Sequence, residues 1–302
     1  MYDVIIIGNG PAGLSAAIYG KRAGFNVLVI SDNPVAGGQI TTTYEVDNYP
    51  GLPGMGGMEL GDKLKEHADK FEVEFVTDRV SAISDAGDHK NITTGKGSYE
   101  ARAVIIATGA DHRKLGVPGE TEFTGSGVSY CATCDGAFFR NKTVAVVGGG
   151  DVALEDAIFL SRFAQKVYII HRRDEFRGAK MLQDQLLANE KIEPVYDTVV
   201  DEVVGKMAVE KLLLTNKKTG EKSELPVNGV FMAVGIVPNL EGIEGLPDRD
   251  EGGYIIAGES CETSIPGIFA AGDVRTKQLR QVITAAADGA NAITSVQRYF
   301  SI

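Results

Sequence analysis

The sequence is most informative at first for what it lacks. No apolar run approaches the ~20 residues that a helix needs to cross a bilayer. Basic residues are outnumbered, with 30 Lys and Arg against 41 Asp and Glu and a net charge of −11. Neutralising phosphates requires a basic face, so this charge argues against a nucleic-acid partner. Three cysteines are too few to suggest the disulfide framework of a small secreted domain.

The start of the chain also lacks a targeting signal. The strand-like residues 4–7 follow Met1 so closely that no room remains for the basic and apolar regions of a secretory signal. We therefore expect a cytoplasmic protein. Hydrophobic residues make up 43% and charged residues 24%, a balance typical of globular proteins, and 302 residues suit two domains. Much of the glycine, 37 residues in all, falls in clusters, which favours nucleotide-binding turns over flexible linkers.

The sequence contains the same strand, glycine turn and helix twice. Residues 8–13 form a G-x-G-x-x-G motif between a strand-like and a helix-like segment, and residues 148–153 form the G-x-G-x-x-A variant in the same context. A second apolar strand follows each helix, and its end, at Ser31 or His171, lies 23 positions after the first glycine of its motif. Such turns let a pyrophosphate approach the backbone at a helix N-terminus. The repeat predicts two bound dinucleotides.

The end of the second strand distinguishes the two dinucleotides. An acid there favours a free ribose 2′-hydroxyl, whereas arginine accommodates a 2′-phosphate. The second unit carries Arg172, Arg173 and Arg177 at this point, and arginine offers planar, bidentate donors suited to phosphate. A solvated basic loop is the alternative, but the position favours an NADPH site. The first unit has Ser31-Asp32 instead, which leaves open whether Asp32 or a backbone group contacts the ribose.

A Cys-x-x-Cys pair lies just before the second glycine motif. Cys131 and Cys134 can close a small disulfide ring, and this spacing lowers thiol pKa values. Asp135 follows at once, where an acid can carry the proton that each thiol–disulfide exchange step moves. A zinc half-site, a structural disulfide and a pair of buried thiols are the alternatives. Cys261 and the four scattered histidines supply no further ligands at metal spacing, so we expect a redox pair and no metal, with Cys261 as a packing residue.

Taken together, the motifs resemble those of the low-molecular-weight thioredoxin reductases, in the pyridine nucleotide-disulfide oxidoreductase family, along the whole chain. The matching segments are Gly-x-Gly-Pro-Ala-Gly at 8–13, Gly-Gly-Gln at 37–39, Asp-Asn-Tyr-Pro-Gly at 47–51, Cys-Ala-Thr-Cys-Asp-Gly at 131–136 and His-Arg-Arg-Asp-x-Phe-Arg at 171–177. The resemblance implies an α/β fold of two Rossmann-like, three-layer dinucleotide-binding domains. An NADPH domain at residues 113–240 would be inserted into a discontinuous FAD domain at residues 1–112 and 241–302.

The resemblance also implies a set of cofactor-binding residues. Residues 267–273 are similar to the family's second flavin motif, whose acid, here Asp273, binds the ribityl chain, and the helix after Arg280 points its positive end at the flavin. The implied FAD ligands are Gly8, Gly10, Pro11, Ala12, Gly13, Ser31, Asp32, Gly37, Gly38, Gln39, Asn48, Ala107, Thr108, Gly109, Gly272, Asp273, Arg280, Gln281 and Val282. The implied NADPH ligands are Gly148, Gly149, Gly150, Asp151, Glu155, His171, Arg172, Arg173 and Arg177.

The same resemblance implies a reaction. Electrons would pass from NADPH through FAD to the Cys131–Cys134 disulfide and then to thioredoxin or a thioredoxin-like protein. Cys134 would face the flavin, Cys131 would be the interchange thiol and Asp135 the acid and base. The NADPH domain would rotate between the two half-reactions, and the protein would be a homodimer.

Four other functions share some of these features. The reductase module of an alkyl hydroperoxide system carries further N-terminal domains, which we do not expect here. A ferredoxin-driven relative and an oxygen-using dithiol oxidase generally lack the arginine clamp of residues 172–177. A flavin-bound redox sensor without turnover is the fourth, and turnover with NADPH and a disulfide distinguishes it from an enzyme.

Overall fold

The computed structural model describes residues 1–43, 46 and 48–301, so Asp47 of the predicted flavin motif lies outside the described residues. The chain divides into two compact units, one formed by Met1–Asp111 and Val237–Ile302 and the other by His112–Ile236. From the sequence we expected the chain to cross between domains after residues 112 and 240. None of the helices in the described residues combines the length and the apolar character that crossing a bilayer requires.

Strands make up most of the regular structure. In the described residues they are β1 (Tyr2–Ile7), β2 (Val27–Ser31), β3 (Glu74–Thr77), β4 (Val80–Asp85), β5 (Lys90–Thr94), β6 (Gly97–Ile106), β7 (Ala110–His112), β8 (Val128–Ser129), β9 (Thr143–Gly148), β10 (Lys166–Ile170), β11 (Ile192–Val195), β12 (Thr198–Gly205), β13 (Val209–Asn216), β14 (Lys222–Pro226), β15 (Gly229–Ala233), β16 (Ile236–Pro238) and β17 (Ile268–Ala270).

The helices are fewer, and all but the last lie between strands in the chain. They are α1 (Pro11–Arg22), α2 (Gly57–Asp69), α3 (Ala132–Asp135), α4 (Asp151–Leu160), α5 (Lys180–Leu187) and α6 (Val282–Phe300). Short 3₁₀ turns cover Gly38–Thr42 and Gly136–Phe139.

The first unit is built on a sheet in the order β3-β2-β1-β6-β5-β4, with β17 paired to β6. Strands β1, β2, β3, β6 and β17 pair in parallel, and β4, β5 and β6 form an antiparallel meander. Both faces of β1 are buried, because Val4 and Ile6 pack with α1 and α6 while Ile5 and Ile7 pack with β4, β5 and residues 240–257. A strand buried on both faces reads as a continuous apolar run, as this one does.

The second unit repeats this plan. Its parallel sheet has the order β11-β10-β9-β15-β8, and β12, β13 and β14 form a separate antiparallel sheet. In β9, Val144 and Val146 pack toward α4, whereas Ala145 and Val147 pack toward β12 and β13. Each unit thus has a parallel sheet with a glycine turn that leaves one of its inner strands, β1 or β9, and the predicted α/β class with two Rossmann-like domains is confirmed.

Close helix packing on the sheet of the first unit depends on Gly289 in α6. A Cβ atom added there would lie 2.2 Å from the Ala12 carbonyl oxygen and 2.7 Å from the Ala16 nitrogen of α1. Both atoms belong to the backbone of a buried helix, so neither can yield as a flexible side chain would. The absent side chain at Gly289 therefore sets how closely α6 approaches α1, the helix that follows the first glycine motif.

Replacing Gly289 by alanine reverses the usual effect of such a change. Alanine in place of glycine inside a helix normally stabilises it by about 0.5–1 kcal/mol. Here we expect a loss of about 1–3 kcal/mol in unfolding free energy, because the methyl group overpacks the interface between α1 and α6. Urea unfolding followed by circular dichroism measures the difference. Gly258→Ala is the control, since a Cβ at Gly258 meets no atom within 4 Å. A Gly289→Ala protein as stable as the parent would contradict this packing.

Candidate functional site

The first glycine motif forms a tight turn between β1 and α1. Gly8 has a left-handed backbone with φ of 114°, and a Cβ there would lie 2.3 Å from the Ala107 carbonyl oxygen. A Cβ on Gly13 would lie 2.0 Å from the Gly8 carbonyl oxygen. Helix α1 begins with Pro11, and Gly10 before it offers no side-chain cap. The first amides of α1 therefore have no side-chain acceptor from that cap residue, which fits a pyrophosphate at this helix end.

Two further glycines, Gly37 and Gly38, lie against the first glycine motif. Gly37 donates its backbone N–H to the Asn9 carbonyl oxygen at 3.0 Å, and a Cβ on Gly38 would lie 3.5 Å from the Cα of Gly10. The Asn9 amide is buried and donates to the Asn33 carbonyl oxygen at 2.7 Å, which ties the loop after β2 to the turn. The sequence did not identify Asn9 as part of the site. Its place inside the glycine motif gave no sign that its side chain joins two loops.

The residues predicted to meet the adenosine ribose lie at the end of β2. Ser31 is half-buried, and its hydroxyl accepts the Asn33 backbone N–H at 3.3 Å. Asp32 is exposed. Which of them contacts a ribose stays a prediction.

The turn after β17 presents a half-buried acid, Asp273. Oδ1 of Asp273 is buried and has no hydrogen-bond partner, and burial raises the pKa of this carboxyl. Oγ1 of Thr108, just beyond β6, and Nε of Arg280 are buried and unpartnered too. The Arg280 guanidinium lies 4.3 Å from the centre of the Tyr254 ring. Such buried polar atoms indicate a site built for a polar ligand.

A buried ion-pair cluster supports this turn. The Asp288 carboxylate in α6 accepts hydrogen bonds from Arg275 at 2.7 and 2.9 Å, from the Lys277 ammonium at 2.8 Å and from the Gly272 backbone N–H at 2.9 Å. Burial alone raises the pKa of Asp288, but the bonds from Arg275 and Lys277 outweigh it and hold the pKa below its ordinary value. The cluster fixes the backbone next to Asp273. Asp288 was not among the predicted site residues, although an acid amid the small residues of α6 is visible in the sequence.

The start of α6 is held from a distant loop. The Asn48 amide donates to Oε1 of Gln281 at 2.8 Å, and Gln281 caps the helix in a reciprocal box with Thr284. Val282 is the first helical residue. The structure thus brings the predicted residues Asn48, Gln281 and Val282 to one helix end. The predicted residue Gln39 bonds elsewhere, since its amide donates to Asp111 at 3.2 Å.

The second glycine motif is shaped by a histidine. A Cβ on Gly149 would lie 2.2 Å from Nδ1 of His171, so only glycine fits against the ring. His171 is buried, and its Nε2 has no hydrogen-bond partner. Burial lowers the pKa of His171, and the charges of Arg177 and Arg173 lower it further. The ring is therefore neutral at pH 7 and offers an uncharged nitrogen beside the glycine turn.

The segment after His171 folds back over this turn. The backbone N–H groups of Arg177 and Gly178 donate to the Gly149 carbonyl oxygen at 2.7 and 3.1 Å, and Asp151 accepts the Ala179 N–H at 2.6 Å. Arg177 is thereby placed beside the glycine motif with its side chain exposed. The side chains of Arg172, Arg173 and Glu155 are exposed as well. The clamp arginines are thus available to an anionic ligand.

The cysteine pair forms a disulfide in the second unit. Cys131 and Cys134 are bonded with a Cα–Cα distance of 5.3 Å, and both are half-buried. Cys131 caps the short helix α3, and its sulfur accepts the Cys134 backbone N–H at 3.2 Å. An N–H aimed at sulfur favours the thiolate form once the bond is reduced. The geometry suits a redox-active pair in which Cys131 is the nucleophile.

Asp135 follows the disulfide at the end of α3. Its Oδ2 accepts the Ser129 hydroxyl at 2.6 Å, whereas Oδ1 is buried without a partner. Burial raises the pKa of Asp135. A carboxyl with a raised pKa and one unpartnered oxygen, on the residue that follows Cys134 in the chain, is suited to carrying a proton.

Cys261 differs from the other two cysteines. It is fully buried, and its thiol donates to the Asp288 carbonyl oxygen at 3.4 Å. Burial, followed by the negative charge of Asp288, raises the pKa of the Cys261 thiol to about 12. The thiolate is therefore scarce at neutral pH, which suits the packing role predicted for it.

Unpartnered buried atoms coincide with the predicted site residues. In the part of the chain that the structure describes, five buried side-chain atoms have no hydrogen-bond partner, and they belong to Thr108, Asp135, His171, Asp273 and Arg280. Such atoms are rare because each costs free energy. All five residues were predicted from the sequence as ligands or catalytic groups, and polar ligands would satisfy them. The residues present therefore fit a dinucleotide in each unit.

Known proteins resemble the chain over nearly its full length. Residues 2–289 match the family model described as pyridine nucleotide-disulphide oxidoreductase. A thioredoxin reductase from Listeria innocua is 47% identical over 300 residues, which cover 99% of this chain and 94% of the relative. One from Bacillus subtilis is 46% identical over 300 residues, with 99% and 95% covered. The crystal structure of a thioredoxin reductase from Streptococcus pyogenes has a TM-score of 0.93 and 47% identity, and covers 100% of this chain and 98% of its own.

Removing the charge of Asp288 tests the cluster behind Asp273. We expect Asp288→Asn to lower the unfolding free energy by about 3 kcal/mol, because Arg275 and Lys277 would keep buried charges without a counter-ion. Urea unfolding measures the change. Asp184→Asn is the matched control, since Asp184 pairs with Lys180 on the surface with side chains 61% and 77% exposed. Equal effects of the two substitutions would refute a supporting role for the cluster.

Proposed function

The chain belongs to the pyridine nucleotide-disulphide oxidoreductase family, and from this premise we propose that it reduces the disulfide of a thioredoxin with electrons from NADPH. Relatives named for this activity, 46% and 47% identical to it, confirm the predicted family, enzyme class and cofactors. The observation that carries the proposal is the Cys131–Cys134 disulfide beside Asp135, in the same unit as the arginine-flanked glycine motif.

FAD is assigned to the first unit. The turn of residues 8–13 and the pair Gly37–Gly38 would hold its pyrophosphate, Asp273 its ribityl chain, and the start of α6 its ring system. The chemistry supplied by FAD, when it is bound, is acceptance of a hydride and transfer of two electrons to a disulfide. The unpartnered oxygens of Asp273 and Thr108 support this assignment.

NADPH is assigned to the second unit. The turn of residues 148–150 would take the pyrophosphate at the N-terminus of α4, and the exposed guanidinium groups of Arg172, Arg173 and Arg177 would take the 2′-phosphate. These arginines also distinguish the chain from a ferredoxin-driven relative, which has no 2′-phosphate to bind.

The dithiol then carries electrons to the partner. The Cys131 thiol gives its proton to Asp135 and attacks one sulfur of the thioredoxin disulfide, which breaks that bond and forms a mixed disulfide. Cys134 attacks the Cys131 sulfur, restores the internal disulfide and releases the second thioredoxin sulfur, so thioredoxin gains two electrons and two protons. Asp135 takes a proton from an attacking thiol and returns it to a leaving thiolate. Homodimerisation, a cytoplasmic location and rotation of the NADPH domain between half-reactions belong to the same proposal.

The roles of the two sulfurs predict the behaviour of Cys131→Ser. We expect NADPH still to bleach the flavin, while thioredoxin turnover falls on the order of a hundredfold or more because the attacking sulfur is gone. Stopped-flow absorbance and a thioredoxin-coupled assay measure the two steps. Cys261→Ala is the control and should keep both, since Cys261 is buried with a raised pKa. Undiminished thioredoxin reduction by Cys131→Ser would refute the assignment.

The arginine clamp predicts that its removal weakens the binding of NADPH but not of NADH. With Arg172 and Arg173 both replaced by alanine, we expect KM for NADPH to rise roughly tenfold to a hundredfold, because charge-assisted hydrogen bonds to the 2′-phosphate are lost. KM for NADH should stay the same. Arg162→Ala, which removes an exposed arginine elsewhere in the same unit, is the control. An equal rise for both nucleotides would place the 2′-phosphate elsewhere.

A further inference from the structure

One hydroxyl links the dithiol to its acid. Oγ of Ser129 donates to Oδ2 of Asp135 at 2.6 Å and accepts the Cys131 backbone N–H at 3.1 Å. It therefore contacts both ends of the segment that holds the two cysteines. Of the two Asp135 oxygens, Ser129 engages Oδ2, and the buried Oδ1 is left without a partner.

The fold fixes Ser129 before the dithiol begins. Ser129 is the last residue of β8, it is buried, and it stands in register with Phe231 of the neighbouring parallel strand β15. The chain turns at Cys131 into α3, whose last residue is Asp135. The hydroxyl is thus anchored by a sheet, while the acid stands at the end of a four-residue helix.

We propose that Ser129 is a positioning residue for proton transfer at the dithiol, holding Oδ2 of Asp135 so that Oδ1 alone serves the reacting sulfurs. This inference rests on the proposed function, in which Asp135 moves the proton. Attack by the Cys131 thiol forms one S–S bond and breaks another, and the proton leaves the attacking sulfur for Oδ1 and then passes to the leaving sulfur. Ser129 itself gains and loses no proton in this step.

Ser129 also affects the pKa of Asp135. Burial raises the pKa of Asp135, and the hydrogen bond from Ser129, which stabilises the ionised carboxylate, opposes that rise. Two elements pack closely against α3: the 3₁₀ turn of residues 136–139, which has no titratable side chain, and α4, which carries Asp151, Glu155 and Asp156. Burial and the charge of Glu155 raise the pKa of Asp156 to about 7. Asp156 is therefore a second group that titrates near neutral pH and needs its own control.

The test measures thiol–disulfide exchange without either nucleotide. The full-length, flavin-loaded protein is reduced with dithiothreitol and desalted, and its thiols are then followed during reaction with hydroxyethyl disulfide from pH 5 to 9. The exchange requires ionised Asp135 as the base. Removing the Ser129 hydroxyl destabilises that ionised form, so the pKa of Asp135 rises and the acid limb of the profile moves to higher pH.

We expect Ser129→Ala to move the acid limb up by roughly one pH unit, so that on this limb the rate falls about tenfold at a given pH. Ser129→Thr retains the hydroxyl and should restore the parent profile. Asp135→Asn should abolish the limb, and Asp156→Asn should leave it in place. Circular dichroism and flavin absorbance check that each variant is folded.

Two results would overturn the inference. A Ser129→Ala protein whose rate falls equally at every pH, with the limb unmoved, would show that the hydroxyl only caps the turn at Cys131. A limb that disappears in Asp156→Asn would assign the titration to α4. Because the probe is a small disulfide, a parent protein that exchanges normally but fails to reduce thioredoxin would defeat the proposed partner and leave the role of Ser129 to be judged by the profile.

Discussion

The structure depends on a close approach of backbone to backbone at the first glycine of each motif. A Cβ on Gly8 would lie 2.3 Å from the Ala107 carbonyl oxygen, and one on Gly148 would lie 2.4 Å from that of Ala233. In both units the chain leaves the strand before its glycine motif, β1 or β9, against the end of the neighbouring strand. Since no side chain fits there, this approach brings the helix N-terminus to the carboxyl edge of the sheet, where open α/β sheets bind ligands.

Buried polar atoms without hydrogen-bond partners are a second constraint on the structure. Asp273, Thr108 and Arg280 in one unit and His171 in the other keep buried atoms unpartnered, which a folded protein tolerates only where function requires them. In the first unit, the cluster around Asp288 is fully paired instead. Asp288 bonds Arg275, Lys277 and the Gly272 N–H, so the backbone next to Asp273 is held in place although a buried oxygen of Asp273 is unpartnered.

Much of the site could be predicted because its signals are local. A glycine motif between a strand and a helix spans few residues, and the Cys131–Cys134 spacing, the adjacent Asp135 and the arginines after His171 each stand in one short segment. Residues that support the site were missed for the opposite reason. Asp288 meets Gly272 across 16 positions, and Asn9 meets Asn33 across 24. Ser129 lies only 6 positions from Asp135, but no residue pattern indicated that the strand end and the helix end bring their side chains together.

The sequence by itself determined the two dinucleotide units and the redox pair, because each follows from residue types at short, fixed spacings. The arginines after His171 favoured NADPH in the second unit, and the resemblance to a known family supplied the family itself and FAD as the cofactor of the first unit. Tertiary structure decided which groups hold those residues in place and how their protons are tuned. Burial raises the pKa of Asp135 and of Cys261, yet one oxygen of Asp135 is unpartnered, whereas Cys261 is fully buried and its thiol is hydrogen-bonded to α6. Desolvation and hydrogen bonding depend on atoms brought together from distant parts of the chain, so the pKa values of Asp135 and Cys261 are set only in the folded protein.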